Sequence, residues 1–286
     1  MMSSVAHGQD ASGAGTVRSA FTNQVGGRAF VLHRPVATMK EGVQPALVVV
    51  LHGCGQSADD IAKGTRMNEA ADEAGFVVLY PEQSASFHPL KCWNWYVPGE
   101  TTRGAGEISV LAGMIDSVAT AVHARTVSLV GMSAGAAMAA QMAVAYPERY
   151  AALALHSGIA ALAAESAAQG LSAMKDGPTN AEALGAKALA AMGARARGIP
   201  VVLIQGADDK VVSPRNLTAL VSQWRTINDV AQGRGALVEE QLIAGVGHAW
   251  SGGAPGASYT APDGPDATAM IVEFFRRVGA LSPPPR

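Results

Sequence analysis

The sequence has only two cysteines, Cys54 and Cys92, among its 286 residues. Two thiols are too few to form a metal site by themselves, although they can form one disulfide. An excess of charge is also missing, because 21 lysine and arginine residues are balanced by 23 aspartate and glutamate residues. We therefore expect no nucleic-acid partner, since proteins that bind nucleic acid carry a strongly basic surface.

Long hydrophobic runs are missing as well. The most apolar stretch, residues 127–146, is interrupted by Gly131, Ser133 and Gly135. It predicts a strand, a turn and a helix rather than a membrane span. The N-terminus is small and polar and lacks the charged and apolar segments of a secretory signal. We expect a cytoplasmic protein, or a secreted or periplasmic one whose signal has been removed.

Short apolar runs alternate with helical segments along the chain. The runs at residues 46–53 and 126–131 are typical of buried strands, and the first is the nearly continuous β-branched and Leu run expected of a strand buried on both faces. The predicted strands cover residues 28–36, 46–53, 76–81, 126–131, 151–158, 200–206 and 236–245. The predicted helices cover residues 59–75, 108–124, 134–146, 215–230 and 267–278. This alternation predicts an α/β fold with a mostly parallel central sheet covered by helices on both faces.

One domain, residues 23–281, accounts for nearly all of these elements. Residues 1–22 are predicted to be a flexible N-terminus and residues 282–286 a tail. Residues 159–198 are rich in alanine and have little β character, so we predict a helical insert that is a candidate lid.

The motif GMSAG places Ser133 where a predicted buried strand turns directly into a helix. In the pattern G-x-S-x-G, small residues on either side allow a strained turn that raises the serine hydroxyl above the sheet. The start of the following helix also favours developing negative charge. A plain strand-to-helix turn is the alternative, and only a base and an acid elsewhere would indicate a nucleophile.

A candidate acid and a candidate base follow Ser133 in the order expected of a hydrolase triad. Asp208 and Asp209 come directly after the run VVLIQGA, and His248 lies in GHAWSGG after a further strand. Open α/β sheets bind their ligands at the carboxyl ends of strands, where all of these residues are predicted to lie. Asp209 is preferred as the acid because GADDKVV matches the pattern G-x-x-D-x-x-V, which leaves Asp208 as a turn residue.

Position separates the predicted base from the other histidines. His248 is crowded by glycines and comes last in the required order. His52 and His156 also end strands near the same edge of the sheet. We expect these two to support the catalytic residues without reacting.

Attack on an ester carbonyl also requires hydrogen-bond donors for the developing oxyanion. Main-chain N–H groups of the residue after the nucleophile and of the loop after an early strand usually supply them. We assign these donors to Met132 and to Cys54, which lies in the loop HGCGQ. A simple tight turn is the alternative interpretation of HGCG.

A set of sequence blocks, taken in order, resembles the polyhydroxybutyrate depolymerase-type esterases. The blocks are VVVLHGCGQSADD, GFVVLYPEQS, CWNWY, RGAGE, GMSAGAAM, QGADDKVV and GHAWSGG, within about residues 42–275. This family consists of α/β-hydrolases related to feruloyl and acetylxylan esterases. The resemblance implies an α/β-hydrolase fold with Ser133 as nucleophile, Asp209 as acid and His248 as base. It also implies Cys54 and Met132 as oxyanion donors.

Two departures from the family narrow the expectation. Secreted polymer-degrading members carry a signal peptide and a separate polymer-binding domain, and we find neither in this sequence. We therefore expect soluble esters or oligomers to be favoured over solid polyester. The usual H-G-x-x-D segment begins here with Gln205 instead of histidine, a change that we do not expect to disturb the triad.

The resemblance also suggests that Cys54 and Cys92 face each other, since both fall in matching blocks. A disulfide would tie the oxyanion loop to the CWNWY segment and would suit an oxidising compartment; two buried free thiols are the alternative. Trp95 and Trp250 are the predicted residues of the substrate pocket. Core packing beneath the loop is the alternative for such aromatic residues.

Together these features predict a serine esterase that acts through an acyl-enzyme, with no metal and no organic cofactor. The expected substrates are short-chain hydroxyalkanoate esters, oligomers or polyester, with no membrane partner. A feruloyl or acetylxylan esterase acting on plant polysaccharide would have the same fold and triad and is the alternative. A hydrolase-like binding protein without activity is a third interpretation, which the complete set of triad residues disfavours.

Overall fold

A central sheet of eight strands forms the core of the fold. The computed structural model of the protein describes residues 14–230 and 236–282. The strands are β1 (Gly15–Thr22), β2 (Gly27–Arg34), β3 (Ala46–Leu51), β4 (Val77–Pro81), β5 (Thr126–Met132), β6 (Ala152–His156), β7 (Val201–Gly206) and β8 (Val238–Ile243). Their order is β1-β2-β4-β3-β5-β6-β7-β8. The pairs β1–β2 and β2–β4 are antiparallel, whereas β3–β4 and all pairs from β3 to β8 are parallel. A small separate ladder joins β9 (Trp250–Ser251) to β10 (Thr260–Ala261).

Both faces of the parallel strands β3, β4, β6 and β7 are buried, as their uninterrupted apolar runs predict, whereas the edge strand β8 is largely exposed or half-buried. Leu47, Val49 and Leu51 of β3 pack in one hydrophobic cluster, while Val48 and Val50 pack in the other. Successive side chains of a strand point to opposite faces of the sheet, so an apolar run without polar interruptions requires cover on both. The predicted α/β fold with a mostly parallel sheet is confirmed.

The helices form a layer on each face of this sheet. They are α1 (Ala58–Thr65), α2 (Met67–Ala74), α3 (Pro98–Thr101), α4 (Gly106–Ala121), α5 (Ala134–Ala145), α6 (Ala167–Asp176), α7 (Leu184–Met192), α8 (Arg215–Val230) and α9 (Ala267–Arg277). Helices α4, α5, α7 and α8 contribute to the cluster that contains Leu47, and α1, α2 and α9 contribute to the other. Among the described residues, no helix has both the length and the hydropathy needed to cross a bilayer.

The first strand corrects the prediction of a flexible segment over residues 1–22. β1 pairs with β2 along its whole length, from Gly15 opposite Arg34 to Thr22 opposite Gly27. This edge strand is largely half-buried or exposed, so its sequence lacks the apolar run by which the central strands are recognised. Residues 1–13 and 283–286, which include most of the predicted tail, lie outside the described residues.

The helix predicted over residues 59–75 is divided in two. Arg66 separates α1 from α2 and has a left-handed backbone with φ of 54°. Its side chain donates to the carbonyl oxygen of Gly252 and to the carboxylate of Asp266, each at 2.7 Å. These tertiary contacts accompany a break that helical periodicity alone does not reveal.

The alanine-rich insert, residues 159–198, contains α6 and α7 and is fastened to α8. The side chain of Gln223 in α8 accepts the N–H of Ala161 at 2.9 Å. Its amide donates to the carbonyl oxygens of Ala161 at 2.9 Å and Leu184 at 3.2 Å. The predicted helical character of the insert is found, while its role as a lid stays a prediction.

Candidate active site

Ser133 lies in the sharp turn between β5 and α5. Its backbone has φ of 56° and ψ of −120°, a conformation that costs free energy for a residue with a side chain. A Cβ atom on Gly131 would overlap the main chain of Gly135, and one on Gly135 would overlap the carbonyl group of Leu51. Both flanking glycines are therefore required by close approach, and GMSAG forms a strained elbow.

His248 connects Ser133 to Asp209 by two hydrogen bonds. Its Nε2 lies 3.0 Å from Ser133 Oγ, and its Nδ1 lies 2.7 Å from Asp209 Oδ2. Because a carboxylate only accepts, Nδ1 donates to Asp209, and Nε2 is left to accept from the serine hydroxyl. Ser133 is 7% exposed and Asp209 is 5% exposed, so the row is largely shielded from water. This arrangement can transfer a proton from Ser133 to the imidazole.

Asp209 is held by donors on both carboxylate oxygens. Oδ2 also accepts from Gln205 Nε2 at 2.9 Å, while Oδ1 accepts from the N–H groups of Val211 at 2.9 Å and Val212 at 2.8 Å. Burial raises the pKa of Asp209, but its contacts with His248, Val212 and Val211 outweigh burial, and the net pKa is lowered. The side chain therefore stays a carboxylate that can orient the imidazole.

The structure distinguishes between the two candidate acids. The neighbouring Asp208 is exposed, and its main-chain N–H donates to the carbonyl oxygen of Val246 at 3.0 Å. Only Asp209 reaches His248 with its carboxylate. The loop thus turns one aspartate inward and leaves the other in solvent.

The loop after β3 lies beside the nucleophile. A Cβ atom on Gly53 would lie 3.5 Å from the Cβ of Ser133. The N–H groups of Gly53, Gly55 and Gln56 all donate to acceptors within the protein. In the described part of the chain, no such acceptor is found for the N–H of Cys54. Cys54 therefore keeps an available donor in the loop where the sequence predicts one.

The assignment of Met132 as the second donor is wrong. Met132 precedes Ser133 in β5, and the N–H of Ser133 donates to the carbonyl oxygen of His156 in β6 at 2.9 Å. Successive N–H groups along a strand point to opposite edges, so the N–H of Met132 is directed toward β3. The residue after the nucleophile is Ala134, the first residue of α5, and the first N–H groups of a helix have no acceptor within the helix. Ala134 therefore replaces Met132 as the candidate donor.

The predicted disulfide between Cys54 and Cys92 is confirmed, with an S–S distance of 2.02 Å. It joins the loop after β3 to the loop before α3. The two loops are also joined by the N–H of Gly55, which donates to the carbonyl oxygen of Leu90 at 2.9 Å. Together these contacts fix the backbone that carries the N–H of Cys54.

Loss of this disulfide is expected to lower both stability and activity. Its cysteines are 38 residues apart, and closing a loop of that length stabilises a folded chain by about 3–4 kcal/mol in the chain-entropy model. In Cys92→Ser we also expect kcat for an ester to fall roughly tenfold, because the Cys54 donor is no longer held. Urea unfolding and hydrolysis of a p-nitrophenyl ester measure the two effects.

The control for this prediction uses reductant. The sequence contains no third cysteine, so reduction should weaken the wild type and leave Cys92→Ser unchanged. A wild type whose stability and kcat are insensitive to complete reduction would contradict a role for the bridge.

His52 and His156 lie behind the catalytic side chains. The Nε2 of His52 accepts the N–H of Gln83 at 3.0 Å, so its Nδ1 donates to the carbonyl oxygen of Gly53 at 2.7 Å. Burial lowers the pKa of His52. Burial, with a smaller contribution from His248, lowers the pKa of His156 to about 3. Both rings are therefore neutral, and His52 braces the loop that carries Cys54.

Trp95 and Trp250 are not residues of an open pocket, so that prediction is wrong. Trp95 is 3% exposed, and its indole ring lies 3.3 Å from the position that a Cβ on Gly170 of α6 would occupy. Trp250 is 1% exposed and donates through Nε1 to Thr268 Oγ1 at 3.1 Å. Each ring packs in one of the two hydrophobic clusters, which is the core packing that the sequence left as the alternative.

Tyr259 is an aromatic residue beside His248 that the sequence does not predict to lie at the site. Its ring centroid lies 6.2 Å from that of His248, and its hydroxyl lies 3.9 Å from the position that a Cβ on Gly55 would occupy. The side chain is 49% exposed, and its backbone has a left-handed φ of 53°. Tyr259 therefore spans the space between the base and the loop of Cys54. The polar, glycine-rich loop around it has no periodicity, and closeness to His248 in sequence is the one available signal.

The fold and these side chains together define the class of protein. A serine elbow after β5, an acid after β7 and a histidine after β8 are the features of an α/β-hydrolase. Within residues 14–230 and 236–282, no group of three His, Cys, Asp or Glu side chains is arranged to hold a metal ion. The family is narrower than the class: residues 29–241 match the family described as Esterase PHB depolymerase, and the chain belongs to it.

Similarity to individual proteins agrees with this family. Poly(3-hydroxyalkanoate) depolymerase C of Paucimonas lemoignei is 32% identical over 197 residues, which cover 65% of this chain and 46% of the relative. Feruloyl esterase B of Neurospora crassa is 36% identical over 124 residues, 42% of this chain and 41% of the relative. The chain thus spans less than half the length of these two curated relatives. The fold is similar to that of an acetyl xylan esterase from Aspergillus awamori, with a TM-score of 0.68, 21% identity, and coverage of 87% of this chain and 93% of that one.

Proposed function

We propose that this protein is a serine esterase that hydrolyses carboxylic esters through a covalent acyl-enzyme. The hydrogen-bonded row from Ser133 through His248 to Asp209 carries the proposal. A serine hydroxyl is a weak nucleophile, and an adjacent base oriented by an acid is the usual means of activating it. Membership of the Esterase PHB depolymerase family supports an ester as the substrate.

Acylation begins when Ser133 Oγ attacks the ester carbonyl carbon while His248 Nε2 takes the hydroxyl proton. The carbonyl electron pair moves to oxygen, and the N–H groups of Cys54 and Ala134 donate to the resulting oxyanion. The pair then returns, the bond to the alkoxy oxygen breaks, and His248 gives its proton to the leaving alcohol. Asp209 accepts from Nδ1 throughout and stabilises the imidazolium.

Deacylation repeats these steps with water as the nucleophile. His248 Nε2 takes a proton from water while the oxygen attacks the acyl carbon, and the same two N–H groups stabilise the oxyanion. The bond to Ser133 Oγ then breaks, Oγ recovers the proton, and the carboxylic acid is released. No redox step and no external group donor take part.

We propose short-chain hydroxyalkanoate esters and their oligomers as the substrate class. The similarity to a poly(3-hydroxyalkanoate) depolymerase supports this choice. A feruloyl or acetylxylan ester is the second candidate, supported by the similarity to feruloyl esterase B. In either case Tyr259 is proposed to contact the substrate, because it is the exposed aromatic ring beside His248.

The first test measures hydrolysis of p-nitrophenyl esters from acetate to octanoate, together with hydroxybutyrate oligomers and methyl ferulate. We expect the short acyl esters and the oligomers to be cleaved and the ferulate to remain intact. Preference for ferulate would favour the second candidate. An active-site phosphonate should also add its mass to the peptide that contains Ser133, whereas an unlabelled protein would support a binding protein without activity.

The same ester series tests Tyr259. In Tyr259→Ala we expect KM for the longer acyl esters to rise roughly tenfold, since an aromatic contact with the substrate is lost. Tyr259→Phe keeps the ring and should stay close to wild type. An unchanged KM in Tyr259→Ala would remove this residue from the site without affecting the roles proposed for Ser133 and His248.

A further inference from the structure

Gln205 lies at the end of β7, directly beneath the acid of the proposed triad. It is 1% exposed, and its Nε2 donates to Asp209 Oδ2 at 2.9 Å. The same nitrogen donates to the carbonyl oxygen of Val212 at 3.1 Å. It also lies 3.5 Å from the carbonyl oxygen of Gly206, so Asp209 and Val212 are the closer acceptors for the two protons of the amide.

These contacts close a small ring of hydrogen bonds around the acid. The N–H of Val212 donates to Asp209 Oδ1 at 2.8 Å, while its carbonyl oxygen accepts from Gln205. The carboxylate is thus held from the loop through Oδ1 and from the strand through Oδ2. Gln205 is the side chain that shares Oδ2 with His248.

We propose that Gln205 is a positioning residue of the active site, which fixes the Asp209 carboxylate and shares the oxygen that accepts from His248. The role of the pair in catalysis rests on the proposed esterase function, whereas the hydrogen-bond ring does not. Because Asp209 Oδ2 accepts from Gln205 as well as from His248, the carboxylate attracts the imidazolium less strongly. The orientation of Oδ2 toward Nδ1 is kept at the same time.

A neutral amide suits this place because it cannot titrate. The titratable groups that face Asp209 are His248 and, from β6, His156, whose pKa is lowered to about 3 by burial. Asp208 and Lys210 on either side of Asp209 are exposed to water. The amide of Gln205 therefore donates to the carboxylate without adding a group that titrates in the pH range of the activity profile.

The test compares Gln205→Leu and Gln205→Glu with a matched control, Gln223→Leu. Gln223 is also fully buried and also donates through its amide to two carbonyl oxygens, but it lies in α8 and contacts the insert. Each variant is assayed for kcat and KM on a p-nitrophenyl ester across pH, and for its unfolding temperature. In the protein without substrate, the proton between His248 Nδ1 and Asp209 Oδ2 is observed in the low-field region of the proton NMR spectrum.

For Gln205→Leu we expect limiting kcat to fall roughly 10- to 100-fold with KM little changed, because the acid is less well oriented. The acid limb of the kcat profile should move upward by about half a pH unit or more, since the carboxylate is no longer shared. The low-field proton should move further downfield for the same reason. Gln205→Glu should lose more activity, because it places a second carboxylate next to Asp209.

Gln223→Leu should lower the unfolding temperature without moving the pH profile or the low-field proton. If Gln205→Leu behaved like this control, Gln205 would be a packing residue and the proposal would be overturned. A Gln205→Glu variant with wild-type kcat would overturn it as well, and this variant keeps the test available if the leucine variant does not fold. The NMR measurement needs no substrate, so it separates failure of this proposal from failure of the esterase assignment.

Discussion

Replacing Ser133 by alanine is expected to lower kcat for a p-nitrophenyl ester by at least about 10⁴-fold. The variant has no atom that can form the acyl bond, so His248 and the oxyanion donors can act only on water. We expect KM to change much less, because the oxyanion loop and Tyr259 stay in place. Initial rates, with far-UV circular dichroism to verify the fold, measure the effect.

Ser128→Ala is the matched control for this prediction. Ser128 is buried in the same strand, β5, but it lies near the opposite end of the strand from the elbow. We expect this variant to retain activity within about twofold of wild type, as is usual for a substitution that removes no catalytic group. Comparable activity in Ser133→Ala and Ser128→Ala would contradict the acyl-enzyme mechanism.

Acidification is expected to lower the free energy of unfolding substantially, because it protonates His156 on unfolding. The side chain is buried, and burial, with a smaller contribution from His248, lowers the pKa of His156 from 6.5 to about 3 in the folded state. Between these values the unfolded chain binds a proton that the folded chain does not, so the free energy of unfolding falls as pH falls. Over the whole range between these two pKa values, the free energy of unfolding falls by at most about 5 kcal/mol through this group.

Urea unfolding at a series of pH values from 7 to 4 tests this prediction in His156→Gln. The amide does not titrate, so the free energy of unfolding should depend on pH less steeply by up to one proton. At pH 7 the variant should be less stable than wild type, because the His156 ring stacks on Trp250 with centroids 5.0 Å apart. His123→Gln, at an exposed position, should leave the slope unchanged. Equal slopes in His156→Gln and wild type would show that other groups govern acid unfolding.

The chemical order of the site is readable from the sequence because each residue of the proposed triad follows a strand of the parallel part of the sheet. Ser133 and Asp209 come after apolar runs and His248 comes after the more polar strand β8, and parallel strands bring their carboxyl ends to one edge. The glycines around Ser133 signal the elbow, since the sharp turn leaves no room for side chains beside it. These are local rules of backbone geometry, and they operate without knowledge of distant contacts.

The aromatic residue beside His248 could not be predicted in this way. Trp95 stands in the conspicuous aromatic segment CWNWY and Trp250 lies two residues after His248, but helices that come later in the sequence cover both, with Gly170 against the first and Thr268 against the second. Tyr259 lies in an unremarkable loop and reaches the site because that loop crosses toward His248. Burial depends on which surfaces pack against each other, and a single sequence does not reveal these tertiary contacts.

Local sequence is sufficient to predict the α/β architecture, the elbow at Ser133 and the order of acid and base, because strand periodicity and glycine sterics act over a few residues. Tertiary contacts determine which aspartate points inward and which aromatic ring lies beside His248. They also determine that the N–H of Ala134, rather than that of Met132, is the candidate oxyanion donor, and that Gln205 donates to Asp209. These outcomes depend on the direction of single side chains and N–H groups, and packing between elements distant in sequence sets those directions.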